Sequence, residues 1–339
     1  MYIKKKPLLI IFTLIILFIV TAAVLGNYVK IDSVEVVSDA SLSISLFSAK
    51  FFNININGII NEKSMFRYKI LRFSKDELPR LVEIINNNNN YLLTFDEGKI
   101  VFFTIEGTKL NSIELEAGRI IGSCVSDLDN DGNSKLVLLT SKENGEYADE
   151  MIVYNFIENV QSKKSLSIEE IYRFACKDLN PWKVQTCDVD GDGKLEISLG
   201  VYKTAPFHPE MAKRPFIYDW HKVGIAPKWR GSRLSRPFED YIFSDIDLCG
   251  SDELISIENL SDGSKSLASY KWKGFGFERN AESESFTDIK DLKKGRWIEG
   301  QGYEIEALVK GEKGVKWETF VFEDGKLKKA KLEKNITEN

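Results

Sequence analysis

The chain has 339 residues, 43% hydrophobic and 29% charged, which leaves room for one large folded domain or two ordinary ones. The net charge is −5, and the excess of acid grows once Lys4, Lys5 and Lys6 are set aside. That balance disfavours a nucleic-acid role, because neutralising phosphates needs a net basic face.

The N-terminus reads MYIKKKPLLIIFTLIILFIVTAAVLGN. Residues 1–6 form a basic tail, and residues 7–26 carry no charge. About twenty uncharged, mostly apolar residues match the hydrocarbon core crossed by one helix. Lysines on the near side keep that side cytoplasmic and send the rest outside. The alternative is a cleaved signal peptide, but its apolar core is usually shorter, and the small residues at Thr21–Ala23 make a weak cleavage site. No Cys follows the run, which disfavours a lipoprotein. The expectation is a single-pass signal anchor in the cell membrane, with the main domain, residues 27–335, extracytoplasmic and residues 336–339 as a tail.

From Val34 to Phe73 the sequence alternates as strands do. SKDELPRLVEII (Ser74–Ile85), interrupted by Pro79, reads as a helix, and the run Asn86–Asn90 reads as a loop. IVFFTIEG around Phe103 returns to strand character. Asp127 opens an acidic loop, DLDNDGNSKLVLL. SIEEIYRF (Ser167–Phe174) reads as a second helix. Asp188 opens DVDGDGKLEISLG, and Asp245 opens DIDLCGSDELISI. In KLEISLGVY, Leu195, Ile197, Leu199 and Val201 share one face at period two. Farther on, Tyr303, Ile305 and Leu308 alternate less cleanly, and ETFVFEDGKL surrounds Phe320. ENGE, SDGS and EDGK punctuate the strands as turns.

The three acidic loops start 61 and 57 residues apart. A second marker keeps step with them: VYNF at Tyr154, IYDW at Tyr218 and SYKW at Tyr270, each with an aromatic two residues on. Two unrelated markers in one order and phase indicate an internal repeat. The segments around Phe103 and Phe320 extend it to five copies, and Val34–Phe73 offers a sixth. Repeats of this length built from short strands predict an all-β fold, a β-propeller of about five to six blades, preceded by one transmembrane helix. A single blade cannot bury its own faces, so blades stack.

Clustered carboxylates at loop positions 1, 3 and 5, with Gly at 6 for the turn, are the pattern of a calcium loop. The second loop is complete: Asp188, Asp190, Asp192, the Lys194 carbonyl and Glu196. An EF-hand is excluded, since position 12 is Leu138, Leu199 or Ser256 and a strand follows. The pattern D-x-D-x-D-G-x-x-[DE]-[IL] before a strand resembles the FG-GAP or VCBS repeat of integrin-α-like propellers. The resemblance covers the three loops closely and the extracytoplasmic part loosely, and it implies structural Ca²⁺ held between strands of a blade. Loop one (Asp127, Asp129, Asp131) departs with Lys135 at position 9, an ammonium that would partly replace the metal. Loop three (Asp245, Asp247, Glu253) departs with Cys249 at position 5, a poor ligand for a hard cation. The expected order of occupancy is loop two, then one, then three.

Between loops two and three lies a segment rich in Pro, aromatic and basic residues. Arg214, Trp229, Arg230, Arg233 and Arg236 are its candidate ligand-binding residues, because Arg and Trp dominate binding hot spots and guanidinium fits carboxylate or phosphate. The competing reading is that these arginines bridge blades to nearby acids. No P-loop, G-x-G-x-x-G, HExxH or G-x-S-x-G motif occurs around the two histidines or elsewhere. The function expected is a binding or scaffold protein for a cell-surface protein, glycan or anionic polymer. The alternative is an envelope polysaccharide-modifying hydrolase, since carboxylates are plentiful. Four cysteines would permit two disulfides outside the cell, but buried thiols are the simpler expectation.

Overall fold

The computed structural model describes the backbone of Ile31–Ser38 (β1), Ser41–Leu46 (β2) and Ala49–Asn55 (β3). It also describes residues 82–330 apart from 97, 106, 116–117, 143–144, 160–164, 232 and 312–313. The expected signal anchor lies outside the described residues, among which no helix is long and apolar enough to cross a membrane. The chain divides into two compact units, residues 1–80 and 81–339. In the first, β1, β2 and β3 form an antiparallel meander.

Among its described residues, the second unit contains five four-stranded antiparallel sheets, each a meander of consecutive strands. Blade one is Val82–Asn86 (β4), Asn89–Asp96 (β5), Lys99–Thr104 (β6) and Lys109–Glu114 (β7). Blade two is Arg119–Ser126 (β8), Lys135–Ser141 (β9), Glu150–Asn159 (β10) and Ser165–Ala175 (β11). Blade three is Pro181–Cys187 (β12), Glu196–Ala205 (β13), His208–Trp220 (β14) and Ile225–Arg230 (β15). Blade four is Phe238–Ser244 (β16), Glu253–Asn259 (β17), Lys265–Trp272 (β18) and Phe277–Glu282 (β19). Blade five is Asp288–Ile298 (β20), Gly302–Gly311 (β21), Gly314–Glu323 (β22) and Lys326–Lys329 (β23). The first strands lie side by side in series, β4 by β8, β8 by β12, β12 by β16 and β16 by β20. This is the arrangement of β-propeller blades. The expected markers fall where a repeat puts them: Phe103, Tyr154, Tyr218, Tyr270 and Phe320 all stand on third strands.

Four apolar cores fill the spaces between the five blades. One of the middle strands, β9, feeds two of them. On β9, Leu136 and Leu138 face blade one, while Val137 and Leu139 face blade three. A strand buried on both faces needs apolar residues at consecutive positions, and KLVLL supplies them. On β13 the expected face holds: Ile197, Leu199 and Val201 enter the core shared with blade two, with Leu195 packed against it. Its other face is small and polar. Ser198 Oγ meets Tyr241 Oη at 2.9 Å, and a Cβ on Gly200 would stand 2.9 Å from the Trp182 ring. Only glycine lets that indole lie so close.

Three local readings need correction. SIEEIYRF is strand, part of β11, because pairing with β10 outweighs local helix preference; Ile152 faces Arg173, and Arg173 reaches Glu150 across the ladder at 2.5 Å. The expected helix at Ser74–Ile85 ends instead in β4 from Val82 onward, and residues 74–81 lie outside the described residues. On β21 the buried face is Ile305, Ala307 and Val309, with Leu308 on the other side. Of the Asn run expected to be a loop, only Asn87 and Asn88 turn, with φ of 48° and 62°; Asn86 ends β4, and Asn89 and Asn90 open β5, so the two strands close as a two-residue hairpin.

Candidate functional site

The acidic loops join first and second strands of blades two, three and four, so they share one end of the unit. Their backbone repeats closely. Asp127, Asp188 and Asp245 each accept the N–H of the glycine five residues on, at 2.7, 3.0 and 3.2 Å. Those glycines, Gly132, Gly193 and Gly250, have φ near 80°. Position 4 is also left-handed in every loop, at Asn130, Gly191 and Leu248. Position 9 repeats too: Glu196 and Glu253 each accept the N–H seven residues back, from Val189 and Ile246, both at 3.0 Å.

The loops also tie neighbouring blades. Ser134 and Ile85 exchange hydrogen bonds between loop one and β4. Trp220 of blade three donates its indole N–H to Asp129 of loop one at 2.7 Å. Asp188 N–H donates to Asp252 of blade four at 3.0 Å, and Tyr303 N–H of blade five donates to the Asp245 carbonyl at 2.9 Å.

Some of the acid positions converge and others do not. In loop two, Asp188, Asp190 and Glu196 bring carboxylate oxygens within 4.8 Å of one another. Asp192 turns away to the Lys194 backbone N–H and side chain, at 2.8 and 3.0 Å. Lys228 Nζ stands among the rest, 2.5 Å from Asp190 and 3.2 Å from Asp219, and it donates to Glu196. In loop three, Asp245, Asp247, Cys249 and Glu253 cluster, and Lys271 Nζ lies 2.5 Å from Asp247 and 3.5 Å from Glu253. In loop one, Lys135 Nζ lies 2.7 Å from Asp129 and 3.9 Å from Asp131. Calcium takes six to eight oxygens. Each of these carboxylate sets has a lysine ammonium in contact, and in loop three Asp245 Oδ1 and Asp247 Oδ1 are buried without a hydrogen-bond partner among the described residues.

The candidate ligand residues of the basic segment are not brought together. Arg214 is fully buried, and its guanidinium holds the carbonyls of Lys203, His208 and Glu210 at 2.7–3.1 Å. Arg236 pairs with Glu282 at 2.5 Å and Glu258 at 3.5 Å. Trp229 packs edge-on against Phe277, ring centroids 5.0 Å apart. Arg230 and Arg233 are exposed. They follow the outer strand of blade three to the end opposite the acidic loops, because the turns of a meander alternate ends.

What the sequence did not disclose is a cleft of about 440 Å³ between blades three and four, beside the acidic loops. Val189, Asp190 and Lys228 line it from blade three, and Ser251, Trp272 and Gly274 from blade four. Phe275, next to Gly274 in the β18–β19 turn, is 85% exposed.

No family model matches the chain, and no curated protein matches it. Among solved structures, similarity is found to BBS1N in complex with ARL6DN, at 9% identity and a TM-score of 0.47, over 87% of this chain and 73% of that one. It is also found to a protein from Bacteroides fragilis NCTC 9343 described as a 6-phosphogluconolactonase, at 14% identity and a TM-score of 0.44, over 73% of this chain and 68% of that one. With TM-scores below 0.5, neither likeness decides anything about this chain.

Burial sets the charge states around the loops. It raises the Glu253 carboxyl from 4.5 to about 7, against the pull of the Ile246 N–H and Lys271. Burial likewise raises Glu196 and Asp252. Asp247 is pushed up by burial but pulled below 3.8 overall by its bond to Lys271. A carboxyl whose folded pKa is raised contributes stability that is full below its unfolded pKa and is lost as pH rises through the folded one. The urea midpoint is therefore expected to fall between about pH 4.5 and 7, and Glu253→Gln should flatten that slope. An unchanged slope in the variant would contradict this assignment. All four cysteines are free thiols, with Cys176 and Cys187 buried, Cys124 half-buried and Cys249 exposed in loop three. Burial pushes the Cys176 thiol up to about 12.

Proposed function

We propose that this chain is an extracytoplasmic binding protein, anchored by residues 7–26, and that its ligand is a cell-surface glycan received in the cleft between blades three and four. The observation that carries the reading is the lining of that cleft. Trp272 offers an apolar ring for a sugar, while Ser251 and the lone pairs that Asp190 keeps beyond its Lys228 contact offer polar partners around it. Phe275 extends the apolar surface at the rim. Binding is favoured over hydrolysis because the acids nearest the cleft are engaged: Asp190 holds Lys228, and Glu196 is buried with the same lysine. A glycosidase needs one carboxyl free to protonate and another free to attack or activate water.

The test is binding of the full chain to an array of cell-surface glycans, compared with Trp272→Ala, Phe275→Ala and the far-end pair Arg230→Ala/Arg233→Ala. Affinity is expected to fall about tenfold or more in the first two, a loss of about 1.4 kcal/mol, and to stay unchanged in the third. Retained affinity in Trp272→Ala, or loss only in the arginine pair, would place the ligand elsewhere.

A further inference from the structure

Each acidic loop has a lysine ammonium against its third position. In loop one it is Lys135 on Asp129, at 2.7 Å. In loop two it is Lys228 on Asp190, at 2.5 Å, shared with Glu196 and Asp219. In loop three it is Lys271 on Asp247, at 2.5 Å, with Glu253 at 3.5 Å. The loops repeat, but the lysines do not. Lys135 opens a second strand, Lys228 stands on an outer strand, and Lys271 stands on a third strand. A feature copied with the repeat would come from one repeat position. Here three different positions deliver a cation to one place.

The position-nine residues follow the same logic. Where position nine is Glu196 or Glu253, a lysine arrives from farther along the blade. Where position nine is Lys135, the residue supplies the cation itself. All three ammoniums are sheltered, with side-chain exposures of 5%, 15% and 24% for Lys135, Lys228 and Lys271. An ammonium has three N–H donors, and Lys228 has three carboxylates to give them to. Carboxylates held this close repel without a cation between them. A divalent ion would need the same oxygens at 2.3–2.6 Å, so metal and lysine exclude each other.

We propose that Lys135, Lys228 and Lys271 replace the divalent cation of the acidic loops, making this a calcium-independent propeller held by its own ammonium groups. Loop two keeps three converging carboxylates, so it is a calcium site blocked by one side chain. Removing that side chain opens it. The inference does not depend on the glycan reading, because it concerns what closes the loops and not what enters the cleft.

The experiment is thermal unfolding of the full chain in 1 mM Ca²⁺ or in excess chelator, for wild type, Lys228→Ala and Lys228→Arg. A protein binding calcium at a hundredth of that concentration would gain roughly 5–10 °C. Wild type is expected to shift by less than about 1 °C. Lys228→Ala should melt several degrees lower in chelator and recover part of that loss in calcium. Lys228→Arg should remain calcium-insensitive. A calcium-dependent rise in the wild-type melting temperature would overturn the proposal, as would a Lys228→Ala variant no less stable than wild type in chelator. If Lys228→Ala does not fold, calcium titration of wild type by calorimetry decides. Heat of binding with a Kd below about 100 µM overturns the proposal, and no heat up to 1 mM upholds it.

Discussion

Replacing Glu258 with alanine is expected to destabilise the protein by about 3–5 kcal/mol, read as a lower urea midpoint. Glu258 lies on β17 and is fully buried. Its carboxylate accepts from the Tyr270 hydroxyl and from Arg279 at 2.5 Å, with Arg236 at 3.5 Å. The same two arginines reach Glu282, which also accepts from Ser266 at 3.0 Å. Burial and the Glu258 hydrogen bond push the Tyr270 hydroxyl up to about 12, so it is a neutral donor at ordinary pH. Truncation would leave the Tyr270 phenol without its acceptor and both guanidiniums with Glu282 alone. Removing one partner of a buried pair costs far more than the intact pair contributes. Glu258→Gln keeps an acceptor for Tyr270 and should cost less. A loss below about 1 kcal/mol for the alanine variant would mean that water replaces the carboxylate and that this network is not closed.

Phe320→Ala is expected to cost about 3–5 kcal/mol through lost burial and the cavity left behind. Phe320 is fully buried on β22, edge-on to Phe286 with centroids 5.7 Å apart. It belongs to the core between blades four and five, with Ile255, Leu267, Ile305 and Leu327. Trp317 is the control on the same strand. It is 40% exposed, with Lys293 Nζ 4.3 Å from its ring centre. Trp317→Ala should cost about 0.5–1 kcal/mol. Comparable losses in the two variants would contradict the placement of the core between these blades.

The repeat was legible because two signals of different chemistry kept one phase. The acidic turns marked where first strands end, and the Tyr-x-aromatic marker ran along third strands. Asp127, Asp188 and Asp245 could be aligned by eye because the αL backbone at positions 4 and 6 demands Gly, Asn or a tolerated exception such as Leu248. Ser167–Phe174 was not legible as strand. Its alternation is blurred by the adjacent Glu169 and Glu170, and an outer strand with one solvated face bears weak constraints. Nor was the role of Lys228 legible. It sits 32 residues past Glu196, in a segment whose many arginines and aromatics resembled a ligand patch. Only the fold shows that Arg214 clasps its own hairpin, that Trp229 leans on Phe277, and that Lys228 fills loop two. Sequence spacing locates acids within a loop. It does not locate a counter-ion that arrives from another strand.

The central claim is that the acidic loops are closed by lysine and not by metal. Crystals of the protein soaked in calcium and measured near an energy where calcium scatters anomalously test it most directly. The account predicts no anomalous peak in loops one, two or three, with the Lys228 Nζ resolved between Asp190 and Glu196. A calcium peak coordinated by Asp188, Asp190 and Glu196, with Lys228 swung out of the cluster, would contradict it.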